Sequence, residues 1–175
     1  QNLPKNLLDL DNSIKKNLNL LSDAKQKKIS KLTACVLDRP RHSKIVKELE
    51  QLNVKIKFIT DGDVSGAISV ADPTTNIDIY LGIGGGPEGV LAAAALSCMG
   101  GQIQTRLILN DEEKKRAKKL GIQDVNKKYN IDDLIKGDVI FSATAITNGE
   151  IVNGVNDLGD RYEVSTFALH KDSKI

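Results

Sequence analysis

A chain of 175 residues is long enough for one real core, and 40% hydrophobic with 27% charged residues is the balance of a soluble globular domain. Aromatics make up only 3% and Trp is absent, so the core must be aliphatic, and the stacking platforms of single-stranded nucleic-acid binders are lacking. The net charge is +2, with both signs mixed along the chain, and no apolar run is long enough to cross a bilayer, so neither a nucleic acid nor a membrane is expected as a partner.

The chain opens on Gln1 rather than Met, so a true start that has been processed, disordered or cut away is expected, and residues 1–30 are polar and rich in Lys and Asn. Ile14, Leu18 and Leu21 fall at helical spacing, with Asp11 and Ser13 as candidate caps. A connector followed by a surface helix is expected here. No signal-peptide pattern precedes it. Cys35 and Cys98 lie in apolar segments without CxxC spacing, so buried reduced thiols and a cytoplasmic location are expected. The Lys-rich residues 25–31 and 114–119 read as solvated faces.

Residues 31–175 alternate strand and helix signals. A strand is expected at 32–37, then a helix at 43–52 with Ile45, Val46, Leu49 and Leu52 on one face. Residues 54–59 alternate apolar and Lys positions, the mark of a half-exposed strand, and 64–70 read as a helix. Residues 77–81 form the next strand. A glycine-rich turn and a helix beginning Val90-Leu91-Ala92-Ala93 follow, stopped by Gly100-Gly101. Beyond it, strands are expected at 102–109, 139–142 and 162–169, and helices at 111–120, closed by Gly121, and 131–135. The pattern predicts an α/β fold, a layered sandwich with a mostly parallel sheet.

In such sheets ligands bind beyond the C-terminal ends of the strands, and three clusters fall there. The first is Asp38-Arg39-Pro40-Arg41-His42. Two guanidinium groups around a rigid proline suit bidentate phosphate binding, while the plainer reading is a charged loop in which Pro40 opens a helix. His42 reads as a cap or surface residue. The second is Asp61-Gly62-Asp63, which could accept sugar hydroxyls, join a metal site, or simply cap the next helix. Asp61, Asp63, Ser65, Gly66, Ile68 and Asp72 approximate a calcium loop, but a strand pattern precedes them where that motif needs a helix.

The third is Gly82-Ile83-Gly84-Gly85-Gly86-Pro87-Glu88-Gly89. A glycine turn before a helix exposes backbone N–H groups to an anion. Glu88 suits the helix dipole yet repels a phosphate, so an anion and Glu88 together call for a cation between them. The loop formally matches the dinucleotide fingerprint, with Asp111 downstream as its acidic residue, but Pro87 and Glu88 occupy the turn meant for the pyrophosphate. A purely structural turn is the remaining reading. The segment Ser142-Ala143-Thr144-Ala145-Ile146-Thr147-Asn148-Gly149 sets small hydroxyl residues after a strand, a further candidate lining or, with its Asn-Gly, an ordinary turn.

In this order, the three clusters and Phe141-Ser142-Ala143-Thr144 resemble the class II fructose-1,6-bisphosphatases, from about Leu8 onward. The resemblance implies a sugar-phosphatase-like fold and hydrolysis of fructose 1,6-bisphosphate to fructose 6-phosphate and phosphate in gluconeogenesis, with Mg²⁺ or Mn²⁺ as cofactor. It implies substrate contacts at Arg39, Pro40, Arg41, Asp61, Gly62, Asp63 and Gly85, and a metal ligand at Glu88. Arg39 and Arg41 would hold phosphate, and Asp61 and Asp63 would orient sugar hydroxyls. Gly86 stands where the family usually has Ala, and Ala145 where it has Gly. The family's N-terminal half, with most metal carboxylates and a Glu-Gly-Thr segment, has no counterpart in these residues. The resemblance therefore implies a C-terminal substrate-binding domain, inactive alone, that forms a homo-oligomer or pairs with the missing half. The alternative is a non-catalytic sugar-phosphate or dinucleotide-binding module.

Overall fold

A computed structural model describes residues 3–149 and 151–172. Its centre is β1 (Thr33–Leu37), hydrogen-bonded in parallel to β2 (Lys55–Ile59) on one side and β3 (Ile79–Tyr80) on the other. β1 is apolar at successive positions because it is covered on both faces. Ala34 and Val36 join one core cluster, Cys35 and Leu37 another, and all four are buried. β2 is an edge strand with Lys55 and Lys57 exposed, which explains its alternating sequence and guards the edge against pairing with another chain.

One helical layer holds α1 (Ile14–Lys25) and α2 (Ser43–Gln51), whose Leu18, Leu21 and Leu49 pack with Leu32, Ala34 and Val36. The expected face of α2 closes around them through Ile45, Val46 and Leu52. Ser13 caps α1, its hydroxyl accepting from the Lys16 N–H at 3.2 Å. The other candidate cap, Asp11, instead pairs with Arg106 and Lys128. Two of the lysines expected to be solvated are also engaged: Lys25 and Lys27 reach Asp78 at 2.6 and 2.5 Å.

The second helical layer begins with α3 (Asp63–Ser69), which crosses β2 and β3 at Gly66. A Cβ at Gly66 would lie 2.7 Å from Ile59 Cδ1 and 2.8 Å from Tyr80 Cε2. Only a missing side chain lets this helix approach the sheet so closely. Gly66→Ala should gain helix propensity yet lose stability overall, by about 1–2 kcal/mol, because overpacking outweighs the propensity gain. A lowered urea midpoint at unchanged slope checks it. α4 (Gly86–Met99) packs on α3 and ends at Gly100, whose φ of +69° suits glycine.

After α4 the ladders are antiparallel. β4 (Gln104–Arg106) pairs with β5 (Lys128–Asn130), and between them lies α5 (Asp111–Lys119). A short α6 (Ile131–Leu134) follows, and β6 (Ile140–Thr144) pairs with the last strand, β9 (Thr166–His170). Between these, β7 (Asn156–Asp157) and β8 (Tyr162–Glu163) form a two-residue ladder. The β6–β9 ladder covers the far side of α4, where Ile68, Ala95 and Phe141 make a third core cluster. The fold is α/β and layered. Several elements differ in detail: the expected strands at 77–81 and 102–109 contract to β3 and β4, the strand at 162–169 divides into β8 and β9, and β5 and β7 are additional. Cys35 is buried in β1, Cys98 is half-buried on α4, and both are thiols. Among the described residues no helix is long and apolar enough to cross a membrane.

Candidate functional site

All three parallel strands end at one edge of the sheet, and each hands the chain to a helix there. Beyond β1, Arg39 is extended and Pro40 opens a single 3-10 turn that runs directly into α2. Arg39 folds back, its Nη1 donating to the Asp38 carbonyl at 2.8 Å. Arg41 reaches across the edge, its Nε donating to the Ile83 carbonyl at 2.6 Å. Arg41 remains exposed, which leaves guanidinium donors for a ligand.

Beyond β2, Gly62 adopts φ +85°, a left-handed conformation that glycine takes without strain. It turns the chain so that Asp63 opens α3, while the Asp61 carboxylate accepts from the Gly62 N–H at 2.9 Å. Asp63 accepts from the Tyr80 hydroxyl at 2.6 Å. Burial, together with this hydrogen bond and the charge of Asp63, pushes the Tyr80 phenol well above its ordinary value, so it stays a donor.

Beyond β3, the glycine loop leads into α4 with Gly85 as its N-cap and Pro87 and Glu88 in the first turn. Gly85 offers no side-chain cap, so the first-turn N–H groups have no side-chain acceptor at the cap. The carboxylates of the site lie against these glycines. A Cβ on Gly84 would sit 2.5 Å from Asp63 Oδ2, and one on Gly85 would sit 2.1 Å from Glu88 Oε2.

Arg39, Pro40, Arg41, Asp61, Gly62, Asp63, Gly85 and Glu88 therefore share one edge, with Asp63 and Arg41 touching the glycine loop directly. His42 departs from the sequence reading in part: it stands at the N-cap position of α2, but its side chain makes no capping bond and is fully buried rather than at the surface. Its Nδ1 lies 2.6 Å from the Leu37 carbonyl and its Nε2 accepts from the Ile83 N–H at 2.9 Å. Tyr80, which holds Asp63, carries no sequence signal beyond its place at the end of a strand. Thr144 bonds the Thr166 hydroxyl across the β6–β9 ladder. Two surface clefts of about 290 and 270 Å³ lie elsewhere, the first around Asn148, Asn153 and Glu163, the second at the opposite edge of the sheet by Thr33 and Ile77.

Two chemistries fit this edge poorly. A dinucleotide would meet Glu88 in the turn meant for its pyrophosphate, and Asp111 follows β4, which is outside the parallel sheet. A closed cage for a divalent cation is also not formed. Mg²⁺ or Ca²⁺ takes six or more oxygen ligands, and among the described residues no three His, Cys, Asp or Glu side chains gather closely enough to hold an ion. Glu88 is at most one donor of such a site.

The sequence model of the family described as bacterial fructose-1,6-bisphosphatase, glpX-encoded, matches residues 1–175. The chain is 35% identical to the D-fructose 1,6-bisphosphatase class 2/sedoheptulose 1,7-bisphosphatase of Trichodesmium erythraeum, over 97% of this chain and 53% of that protein. It is also 35% identical to the fructose-1,6-bisphosphatase class 2 of Haemophilus influenzae, over 97% of this chain and 55% of that one. The chain thus spans about half the length of the curated relatives it matches.

Proposed function

The chain belongs to the family of bacterial, glpX-encoded fructose-1,6-bisphosphatases, and from that premise we propose that it forms the sugar-phosphate-binding part of a metal-dependent fructose-1,6-bisphosphate phosphatase. The observation that carries the reading is the convergence of two arginines, two aspartates and a glycine-capped helix start on one sheet edge. On this reading Arg39 and Arg41 bind phosphate through forked guanidinium donors. Asp61 and Asp63 accept hydrogen bonds from sugar hydroxyls, with Tyr80 holding the second of them in place. The N–H groups at the start of α4 take a further anionic oxygen beside Gly85. Glu88 gives one oxygen to Mg²⁺ or Mn²⁺, whose charge offsets that of the phosphate.

The remaining cation donors and the group that orients water come, in this proposal, from residues outside these 175, in the same polypeptide or in an associating one. Release of fructose 6-phosphate and phosphate would serve gluconeogenesis in the cytoplasm. Phosphate release from fructose 1,6-bisphosphate with Mn²⁺, measured beside calorimetric titration with fructose 6-phosphate and NAD, tests the reading. The chain by itself is expected to bind fructose 6-phosphate and to release no phosphate above the blank. Robust turnover would overturn the division of the active site. Binding of NAD without the sugar phosphate would favour a dinucleotide module instead.

A further inference from the structure

We propose that His42 is the positioning residue of the glycine loop: in its Nδ1–H tautomer it pins the backbone of Ile83, and so sets the loop that presents Gly85 and Glu88. What the loop then binds rests on the sugar-phosphate reading above; what holds it rests on geometry.

His42 is fully buried although it ends a polar segment. Each ring nitrogen faces a backbone group, and those groups decide the tautomer. The Leu37 carbonyl, 2.6 Å from Nδ1, can only accept, so Nδ1 carries the proton. The Ile83 N–H, 2.9 Å from Nε2, can only donate, so Nε2 is bare. The Ile83 carbonyl also lies 3.1 Å from Nε2, but a bare nitrogen cannot donate to it, and that oxygen is taken by Arg41 at 2.6 Å. Both backbone polar atoms of Ile83 are thus held by consecutive residues of the 3-10 turn after β1.

The hold is polar because packing does not supply one. Ile83 is 39% exposed, and every residue from Gly82 to Glu88 is exposed. The loop backbone rests directly on the pin. A Cβ at Gly82 would lie 3.3 Å from the Tyr80 hydroxyl and 3.5 Å from His42 Nε2. The loop backbone thus passes within van der Waals reach of the ring. The imidazole links the centre strand of the sheet to the loop, and through Ile83 it couples the loop to the Arg41 grip.

The test uses the whole chain. It contains two histidines, so the ring ¹⁵N signals of His42 are readily assigned. They should show a bare Nε2, and the Ile83 amide should be protected from exchange. His42→Ala should speed Ile83 exchange and weaken fructose 6-phosphate binding, each by about tenfold, the worth of one buried hydrogen bond. His42→Gln, whose amide carries one donor and one acceptor, should recover much of both. Leu49→Ala, a fully buried core change on α2, should lower the melting temperature yet leave both readouts in place. Unchanged exchange and affinity in His42→Ala would overturn the proposal. So would losses in Leu49→Ala that match its drop in melting temperature, since the effect would then be merely structural. If His42→Ala does not fold, the wild-type ring spectrum and His42→Gln decide, and an Nε2–H tautomer overturns the proposal. If the wild type ignores fructose 6-phosphate while Ile83 exchange still depends on His42, the functional reading fails and the pin stands.

Discussion

Asp78→Ala is expected to lower the unfolding free energy by about 3 kcal/mol, or roughly 6–12 °C in melting temperature for a domain of this size. Asp78 sits one residue before β3 with its side chain only 4% exposed. It receives Lys25, Lys27 and the backbone N–H of Thr33, the last at 2.8 Å. One carboxylate thereby joins the end of α1, the segment after it and the first residue of β1. The lysines are 28% and 33% exposed, so they regain water when Asp78 is lost. The Thr33 N–H loses the acceptor that satisfied it, and the cost lies there and in the broken network. Asp78→Asn should cost less, because an amide oxygen can still accept from Thr33.

The same residue predicts a pH dependence. Burial pushes the Asp78 carboxyl up, but the hydrogen bonds from Lys25, Lys27 and Thr33 together outweigh it and hold it below its ordinary 3.8. A carboxyl depressed by folding stabilises the protein fully above its unfolded value, and that contribution fades as pH falls through the folded value. Wild-type stability should therefore drop below about pH 4, while Asp78→Asn should show a shallower acid slope. Denaturant midpoints at several pH values measure both, and equal acid slopes would remove Asp78 from the explanation.

Arg41→Ala is expected to weaken fructose 6-phosphate binding by about 10- to 100-fold, because a charge-assisted hydrogen bond to phosphate contributes about 1.5–3 kcal/mol. The side chain is exposed and, among the described residues, it bonds the Ile83 carbonyl, so the melting temperature should move little. Arg41→Lys should restore only part of the affinity. An ammonium lacks the fork that lets one face hold Ile83 while the other takes phosphate. Calorimetry at low and moderate salt separates the two, since the point charge of Lys loses more to screening than a bidentate contact does. Wild-type affinity in Arg41→Ala would remove this arginine from the site.

The parallel sheet and the shared edge at its strand ends are legible in the sequence because their signals are local. The apolar run of β1, the Lys alternation of β2 and the amphipathic α2 each follow from a few neighbouring residues. Gly62 marks a helix start through its left-handed backbone, Gly85 stands at the N-cap of α4, and strand ends in a parallel sheet must share an edge. Arg39, Arg41, Asp61, Asp63 and Glu88 therefore came together by topology alone.

What only the tertiary structure decided depends on partners distant in the chain. His42 stands at a helix N-cap among polar neighbours, which points to the surface, yet its ring is buried beneath a loop 41 residues away. Lys25 and Lys27 read as solvated, yet they meet a carboxylate 53 and 51 residues on. β5, with lysines around Tyr129, has little strand signal of its own and exists because β4 offers it hydrogen bonds. Periodicity reports which face of an element is buried. Which polar group waits on the other side of a contact is set by how the layers stack, and here that stacking supplies the pin beneath the glycine loop.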